Sequence, residues 1–241
     1  MTEKSLFVPV QKSRINANVL KIIAVLAMFI DHASHLVTDF GTPERWVAHL
    51  VGRLAAPVIF FLVAEGHHYT SDKKKYIFRL FLFAVLSHVP YNLYFGFSVF
   101  RGTSVIWTLM LGVIALSVIT SEKTSAIIKL VVLGATLLMS MPANWHYIGV
   151  LWIIIFGLYR ENVKLKVFMF VLIGLVFYIL PGIQDIGMYS TYRLGVFLTI
   201  PFFTLYNRKP GLRNPFTKWV FYWFYPLHLI LLFGIRVLMN R

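Results

Sequence analysis

The chain of 241 residues is 59% hydrophobic and 13% charged, and its mean hydropathy is +0.74. Soluble domains carry about 25% charged residues, so this composition excludes an ordinary soluble domain and predicts a polytopic membrane protein. We attribute the net charge of +14 to membrane topology rather than to nucleic-acid binding, because the basic residues lie between apolar runs. The chain has no cysteine, which excludes disulfides, Cys-zinc sites and a thiol nucleophile.

The apolar runs predict an all-α bundle with about nine transmembrane helices. A short basic tail, residues 1–18, precedes a single transmembrane domain, residues 19–241. A crossing needs roughly 20 apolar residues, and the fifth and sixth runs flank a proline-containing segment, so they form either two spans or one broken span, which leaves eight as the alternative. The predicted spans are 19–37, 46–67, 76–97, 104–120, 126–141, 145–159, 164–181, 189–206 and 218–237.

The distribution of basic residues predicts the orientation. If the spans alternate, 17 of the 23 Lys and Arg residues fall on the same side as the N-terminus. The other side receives only Arg45, Arg101, Arg236 and Arg241. Short cytoplasmic loops are enriched in Lys and Arg, so we expect a cytoplasmic N-terminus and a multi-pass protein of the bacterial cytoplasmic membrane.

Several ionisable residues fall inside the predicted spans, although each costs about 2.5–3.5 kcal/mol to insert. The helical rise places most of them in the central and outer part of the membrane, with Glu65 near the cytoplasmic end. One interpretation is a buried acid/base site in which a carboxylate orients a histidine. The alternative is a structural ion pair between Asp31 and Arg53, with histidines bonded to carbonyls. The residues concerned are Asp31, His32, His35, Arg53, Glu65, His88, Arg193 and His228.

The spacing of the histidines and the basic residues of the inner loops do not identify a function by themselves. The histidines lack ligand spacing such as H-E-x-x-H, so no metal site is predicted. The basic residues of the inner loops follow from topology alone, or they collect an anionic ligand that carries phosphates. The candidates for such contacts are Lys73, Lys74, Lys75, Arg79, Arg208 and Lys209.

The order of motifs resembles that of the TraX family, which is known from the acetylation of conjugative F-pilin. The first run ends in Ile30-Asp31-His32, and the second contains Gly52-Arg53-Leu54-Ala55-Ala56-Pro57, similar to the family's Gly-Arg-x-Ala-x-Pro signature. The resemblance extends from Leu20 to about Leu232. Further matches are Glu65-Gly66, Arg79, Pro90-Tyr91-Asn92-Leu93, Tyr147 with Gly149, and Phe224-Tyr225-Pro226-Leu227-His228-Leu229.

The resemblance implies a membrane acyltransferase that carries acetyl from cytosolic acetyl-CoA to an amine or hydroxyl of an outer-side acceptor, such as a peptide or glycan. Heparan-glucosaminide acetyltransferase is a more distant likeness. His32 is the expected base, Asp31 its support, and Arg53 or His228 the oxyanion donor.

The chain departs from the family pattern at His88, Ser104 and the segment Asn144-Trp145-His146, which weakens transfer of the acceptor's identity more than transfer of the reaction. Acceptor contacts are expected from His88, His146, Tyr147 and Arg193.

A proton-coupled transporter or flippase for an anionic solute is the competing class, since intramembrane Asp, His and Arg also serve proton relays. The absence of repeat symmetry disfavours it.

Overall fold

A computed structural model describes residues 15–98, 100, 102–212 and 214–239, without the side chains of 215–218. Within these residues the protein is an all-α bundle, as predicted. Most of the predicted tail lies outside them. The helices are α1 (Ala17–Val37), α2 (Pro43–Gly52), α3 (Ala55–Tyr69), α4 (Lys73–Phe95), α5 (Val105–Ile119), α6 (Ala126–Met139), α7 (His146–Leu158), α8 (Val163–Gly174), α9 (Leu180–Ile186), α10 (Ile200–Leu205) and α11 (Pro215–Met239).

Polar side chains fix where many of these helices begin. An oxygen on the residue before the helix accepts a hydrogen bond from a backbone N–H of the first turn, which has no partner within the helix. At the other end of α4, Gly96 adopts φ +70° and closes the helix in the left-handed region. The N-capping residues of this kind are Asn16, Thr42, Asp72, Ser125 and Asn162.

The second predicted span, 46–67, lies within the stretch Pro43–Tyr69, which is long and apolar enough to cross a membrane, but this stretch consists of two helices. α2 ends at Gly52 and α3 begins at Ala55. The N–H of Leu54 donates to Val51 O at 3.1 Å, one residue short of the α-helical partner. The cause is Pro57, because a proline ring clashes with the carbonyl four residues earlier, here that of Arg53. The break places Arg53 between two helices.

The fifth and sixth runs form two antiparallel helices rather than one broken span. Trp107, near the start of α5, donates from Nε1 to Met139 O at the end of α6 at 3.0 Å. Thr108, one residue later, donates to Asn144 O just before α7 at 2.8 Å. α6 therefore ends where α7 begins, and the turn at 140–145 reverses the chain.

The segment Val163–Leu205 also folds back on itself. α8 passes through a π-helical turn, Leu175–Ile179, into α9, and Gly187 reverses the chain with φ +63°. A 3₁₀ helix, Gly187–Thr199, then returns to α10. At about 2.0 Å per residue, its 13 residues extend about 26 Å, and α10 adds about 9 Å. The predicted eighth span, 189–206, is therefore a 3₁₀ helix followed by α10, and together they are long enough to cross a bilayer.

The surface of the bundle is that of a membrane protein. Five helical stretches of the described chain are long and apolar enough to cross a membrane, and α5, α6 and α7 are shorter apolar helices. α6 exposes Ile127, Leu130 and Leu138 by 70% or more, as expected of a helix that faces lipid. Aromatic side chains such as Trp152 and Phe170 fill the interior. The number of crossings stays a prediction.

One end of the bundle, which we call the basic end, collects the starts and ends of several helices. The N–H of Ala17 donates to Lys209 O at 2.9 Å, and the hydroxyl of Tyr69 donates to Arg208 O at 3.1 Å. α1 begins here while α3 and α10 end here. This is the end that the charge distribution assigns to the cytoplasm.

Candidate functional site

A buried carboxylate joins α1 to the break between α2 and α3. Asp31 is 7% exposed, and its Oδ2 accepts from Arg53 Nη2 at 2.6 Å. Its Oδ1 lies 2.6 Å from His49 Nδ1. Gly52 permits this approach, since a Cβ there would lie 2.3 Å from Asp31 Cβ. Both carboxylate oxygens therefore have cationic or N–H partners, as a buried charge requires.

The carboxylate of Asp31 is bonded to His49 and Arg53, so the expectation that it orients or electrostatically supports His32 stays a prediction. Neighbouring positions on a helix diverge by about 100°, so Asp31 and His32 face different partners. The predicted ion pair between Asp31 and Arg53 is present.

His32 pairs instead with His228 of α11. Nδ1 of His32 lies 2.8 Å from Nε2 of His228, and the two rings are parallel with centroids 5.1 Å apart. Nδ1 of His228 lies 2.8 Å from Phe224 O. A carbonyl accepts only, so neutral His228 carries its proton on Nδ1 and accepts from His32 at Nε2. His32 then carries its proton on Nδ1, and its Nε2 is a lone-pair acceptor.

Asp31, His32 and Arg53 line one small cavity of about 60 Å³, with room for about two water molecules. The Arg53 guanidinium lies 5.7 Å from the ring centroids of Trp145 and Tyr192. The cavity is thus lined by the imidazole of His32 and by a guanidinium that is already held by a carboxylate. Its lining residues are Met28, Asp31, His32, Gly52, Arg53, Ala55, Ala56, Ile59, Val105, Asn144, Trp145 and Tyr225.

A polar seam continues from the carboxylate to the end of the bundle opposite the basic end. The rings of His49 and His35 are 5.1 Å apart, and His35 Nδ1 lies 2.9 Å from Arg45 Nη1. Arg45 is 7% exposed, and its guanidinium also donates to the carbonyl and hydroxyl of Thr38. Our sequence reasoning missed His49 and did not place Arg45 in the site. Their spacing from Arg53, one and two helical turns earlier, is the signal that places all three on one face.

The four residues expected to contact the acceptor lie away from the cavity lining. His146 is exposed, with Nδ1 2.5 Å from Met141 O. Tyr147 packs against Phe177, and His88 is half-buried on α4. Arg193 donates to Tyr178 O at 2.9 Å. Asn144 and Trp145, the neighbours of His146, do line the cavity, and the expected acceptor contacts of the four residues stay a prediction.

Arg193 has an indirect connection to the site through Tyr178. The Tyr178 hydroxyl accepts from Arg53 Nη1 at 3.1 Å, and the Arg193 guanidinium lies over the Tyr178 ring. Arg193 sits inside the 3₁₀ helix rather than at the start of a helix. Gly195, two residues after Arg193, brings this segment against α2, because a Cβ there would lie 2.0 Å from Leu50 O.

An ion-pair network occupies the basic end. Arg160 donates to Glu65 Oε1 at 2.8 Å and to the Tyr69 hydroxyl at 2.6 Å. Glu161 accepts from both Arg160 and Arg208 at 2.6 Å. The hydrogen bond from Arg208, together with the nearby positive charges, lowers the pKa of Glu161 below its ordinary value. The network ties the ends of α3, α7 and α10 together.

Some of the residues predicted to bind the donor are already paired with carboxylates, whereas others are exposed. Arg208 is bonded to Glu161, and Lys75 pairs with Asp72 at 3.3 Å. Lys73 and Lys74 are exposed, and Arg79 packs over the Tyr76 ring. Within the described residues, no group of three His, Asp or Glu side chains has an arrangement that holds a metal ion.

Comparison with known proteins gives the chain a family. A probable fimbrial assembly protein FimC, serogroup H1, from Dichelobacter nodosus is 25% identical over 235 residues, which cover 92% of this chain and 96% of that protein. No solved structure matches. The family model described as TraX protein matches residues 16–236, nearly the whole chain and both halves of the site. The chain is therefore a membrane protein that belongs to the TraX family.

Proposed function

We propose that this protein is an acetyltransferase of the bacterial cytoplasmic membrane, which transfers acetyl from cytosolic acetyl-CoA to an amine or hydroxyl of an acceptor at the membrane or its outer side. The observation that carries the proposal is the tautomer order of His32 and His228. It gives a neutral imidazole with an acceptor nitrogen at a cavity that also contains a cation. A base and an oxyanion donor at one cavity are what acyl transfer requires.

His32 is the proposed general base. The acceptor nitrogen or oxygen bonds to the carbonyl carbon of the thioester while its proton passes to Nε2 of His32. The carbon–sulfur bond then breaks, and the sulfur leaves as a thiolate that takes up this proton to become the free thiol of CoA. His228 fixes the tautomer of His32 through the contact of 2.8 Å, so we assign it as a positioning residue.

Arg53 is the proposed donor to the oxyanion of the tetrahedral intermediate. Its Nη2 is bonded to Asp31 and its Nη1 to Tyr178, while its buried Nε has no partner among the described residues. Asp31 and His49 hold the guanidinium in place before the reaction, and a preorganised donor needs little reorganisation as charge develops. In this proposal Asp31 supports Arg53 rather than His32.

The donor is proposed to approach from the basic end. Its phosphates carry charge that is expensive to move into hydrocarbon, so they stay beside exposed residues such as Lys73 and Lys74, and the narrow pantetheine arm carries the thioester to the cavity. The pairing of Arg208 with Glu161 makes it a weaker candidate for phosphate contact than these lysines.

Transport is the competing function, and a labelling experiment separates the two. Membranes that contain the protein are incubated with acetyl-CoA labelled in the acetyl group, and the labelled products are identified by mass spectrometry. We expect a labelled acceptor with wild-type protein and with His68→Ala, a control at an exposed histidine near the basic end. We expect none with His32→Ala. Normal turnover by His32→Ala removes this residue from the mechanism, and saturable flux of a solute without acyl transfer would favour transport.

A further inference from the structure

A second cavity lies beside the site, between α1 and α11. It is a groove of about 450 Å³, much larger than the reaction cavity. Apart from His228, its lining consists of aliphatic and aromatic side chains. The lining residues are Phe29, Val220, Trp223, Phe224, Leu227, His228 and Leu231.

The histidine pair forms the wall between this groove and the reaction cavity. His32 lines the cavity and His228 lines the groove. The ring of His228 is nearly parallel to those of His32 and Phe224. Its centroid lies 5.1 Å from that of His32 and 4.5 Å from that of Phe224. The single imidazole of His228 therefore lies between the proposed base, His32, and the lipid-facing groove.

The groove is long. Val220 and Leu231, which line its two ends, are eleven residues apart on α11, or about 16 Å along the axis. An extended hydrocarbon chain can therefore lie along α11 beside Phe29 of α1.

The surroundings indicate the chemistry of that chain. Leu26 and Ile30 of α1 and Leu227 and Ile230 of α11 expose between 44% and 58% of their surface around the groove. These positions lie within the predicted spans, where the surrounding medium is hydrocarbon, so the part of an occupant that lies against them is apolar. Among the described lining residues, His228 offers an imidazole, and the others are aliphatic or aromatic.

We propose that the groove between α1 and α11 binds one acyl chain of a membrane lipid and directs the lipid's polar end toward His228. Resting on the proposed function, this makes a lipid-linked amine or hydroxyl the acceptor, which reaches His32 from within the bilayer past His228. The acceptor then enters through the side of the bundle and the donor through its basic end. The two substrates approach the cavity by separate routes.

The test uses the full-length protein in nanodiscs that contain phosphatidylethanolamine with a photoreactive diazirine in one acyl chain. After irradiation, the adducts are mapped by mass spectrometry. We expect the segment 220–231 to be labelled several-fold more than α6, whose exposed face reports contact with bulk lipid. Labelling equal to that of α6 overturns the proposal.

A matched pair of variants separates the groove from the rest of α11. Leu227→Trp fills the groove, whereas Ile230→Trp places the same side chain outside it, at a position of similar exposure, 51% against 55%. We expect the first to abolish the excess labelling and the second to keep it. If Leu227→Trp does not fold, Val220→Trp fills the same groove from its other end. Excess labelling that survives both groove-filling variants overturns the proposal.

Two further outcomes identify what is wrong if the proposal fails. Loss of the adducts on adding an apolar peptide, but not on adding excess unlabelled lipid, identifies a protein segment as the occupant and refutes the acyl-chain site. The labelling needs no acetyl transfer, so it does not depend on the proposed function. If the groove is photolabelled but the labelled acetyl appears in another fraction and not in the lipid, the acyl-chain site stands and only the role of the lipid as acceptor is refuted.

Discussion

The substitution Gly52→Ala tests whether the Asp31 carboxylate must be held as observed. A Cβ at position 52 would lie 2.3 Å from Asp31 Cβ and 2.5 Å from both Cγ and Oδ1. Ordinary contacts between such atoms begin near 3.5 Å, so the carboxyl group must move by about 1 Å. A shift of that size lengthens the 2.6 Å contacts to Arg53 and His49 to about 3.6 Å, which is beyond hydrogen-bonding distance.

The expected cost follows from these contacts. Overpacking a buried site costs about 1–3 kcal/mol, which corresponds to a drop in melting temperature of several degrees for a chain of this size. We expect the larger effect on acetyl transfer, because Arg53 loses the partner that orients it. Both are measured on protein in detergent or nanodiscs, by thermal unfolding and by transfer of labelled acetyl.

Gly134→Ala is the matched control. Gly134 is half-buried within α6, and nothing lies within 4 Å of the added Cβ. Alanine in place of a helical glycine stabilises by up to about 1 kcal/mol where the side chain meets no obstacle. We expect this variant to unfold at an equal or higher temperature and to keep its activity. If Gly52→Ala behaves like Gly134→Ala in both assays, the reasoning about the Asp31 contacts is refuted.

Three other changes test the remaining parts of the structure. Gly195→Ala should destabilise more than Gly52→Ala in the same unfolding assay, because its Cβ meets the backbone oxygen of Leu50 at 2.0 Å, and equal melting temperatures would contradict this. His49→Ala should lower the free energy of unfolding by about 1–3 kcal/mol, since a buried carboxylate loses a partner, and should also lower turnover, while wild-type turnover would show that His49 is dispensable. Pairing with Arg208 lowers the pKa of Glu161, so its stabilising contribution is complete above the ordinary value of 4.5 and is lost as the pH falls through the lowered pKa. Glu161→Gln should therefore lose less stability on acidification than wild type, and an unchanged pH dependence would refute the pairing.

The apolar runs predicted the helices well, because the length of a crossing is set by the bilayer and not by tertiary contacts. The first run, predicted at 19–37, forms a helix at Ala17–Val37. The break at Arg53 was missed, although Pro57 marks the residue four positions before it. A window of hydropathy records the composition of a segment and not the direction of its axis, so it joined α2 and α3.

The candidate site was predicted as a set of ionisable residues, but its pairing was not. Inserted charges are rare enough to identify Asp31, His32, Arg53 and His228 from the sequence alone. Which of them meet depends on the rotation of each helix about its axis, which the packing of α1 against α2 and α11 determines. The contact between His32 and His228 joins residues 196 positions apart, and no local pattern contains that information.

The parallel rings of His32 and His228 also limit how much positive charge the site can hold. With centroids 5.1 Å apart and hydrocarbon around them, two imidazolium ions would repel each other strongly. This repulsion disfavours a state in which both rings are positively charged. Arg53 adds a fixed positive charge nearby. The 2.8 Å contact between Nδ1 of His32 and Nε2 of His228 also needs a lone pair on one of the two nitrogens, so it is lost when both rings carry two protons.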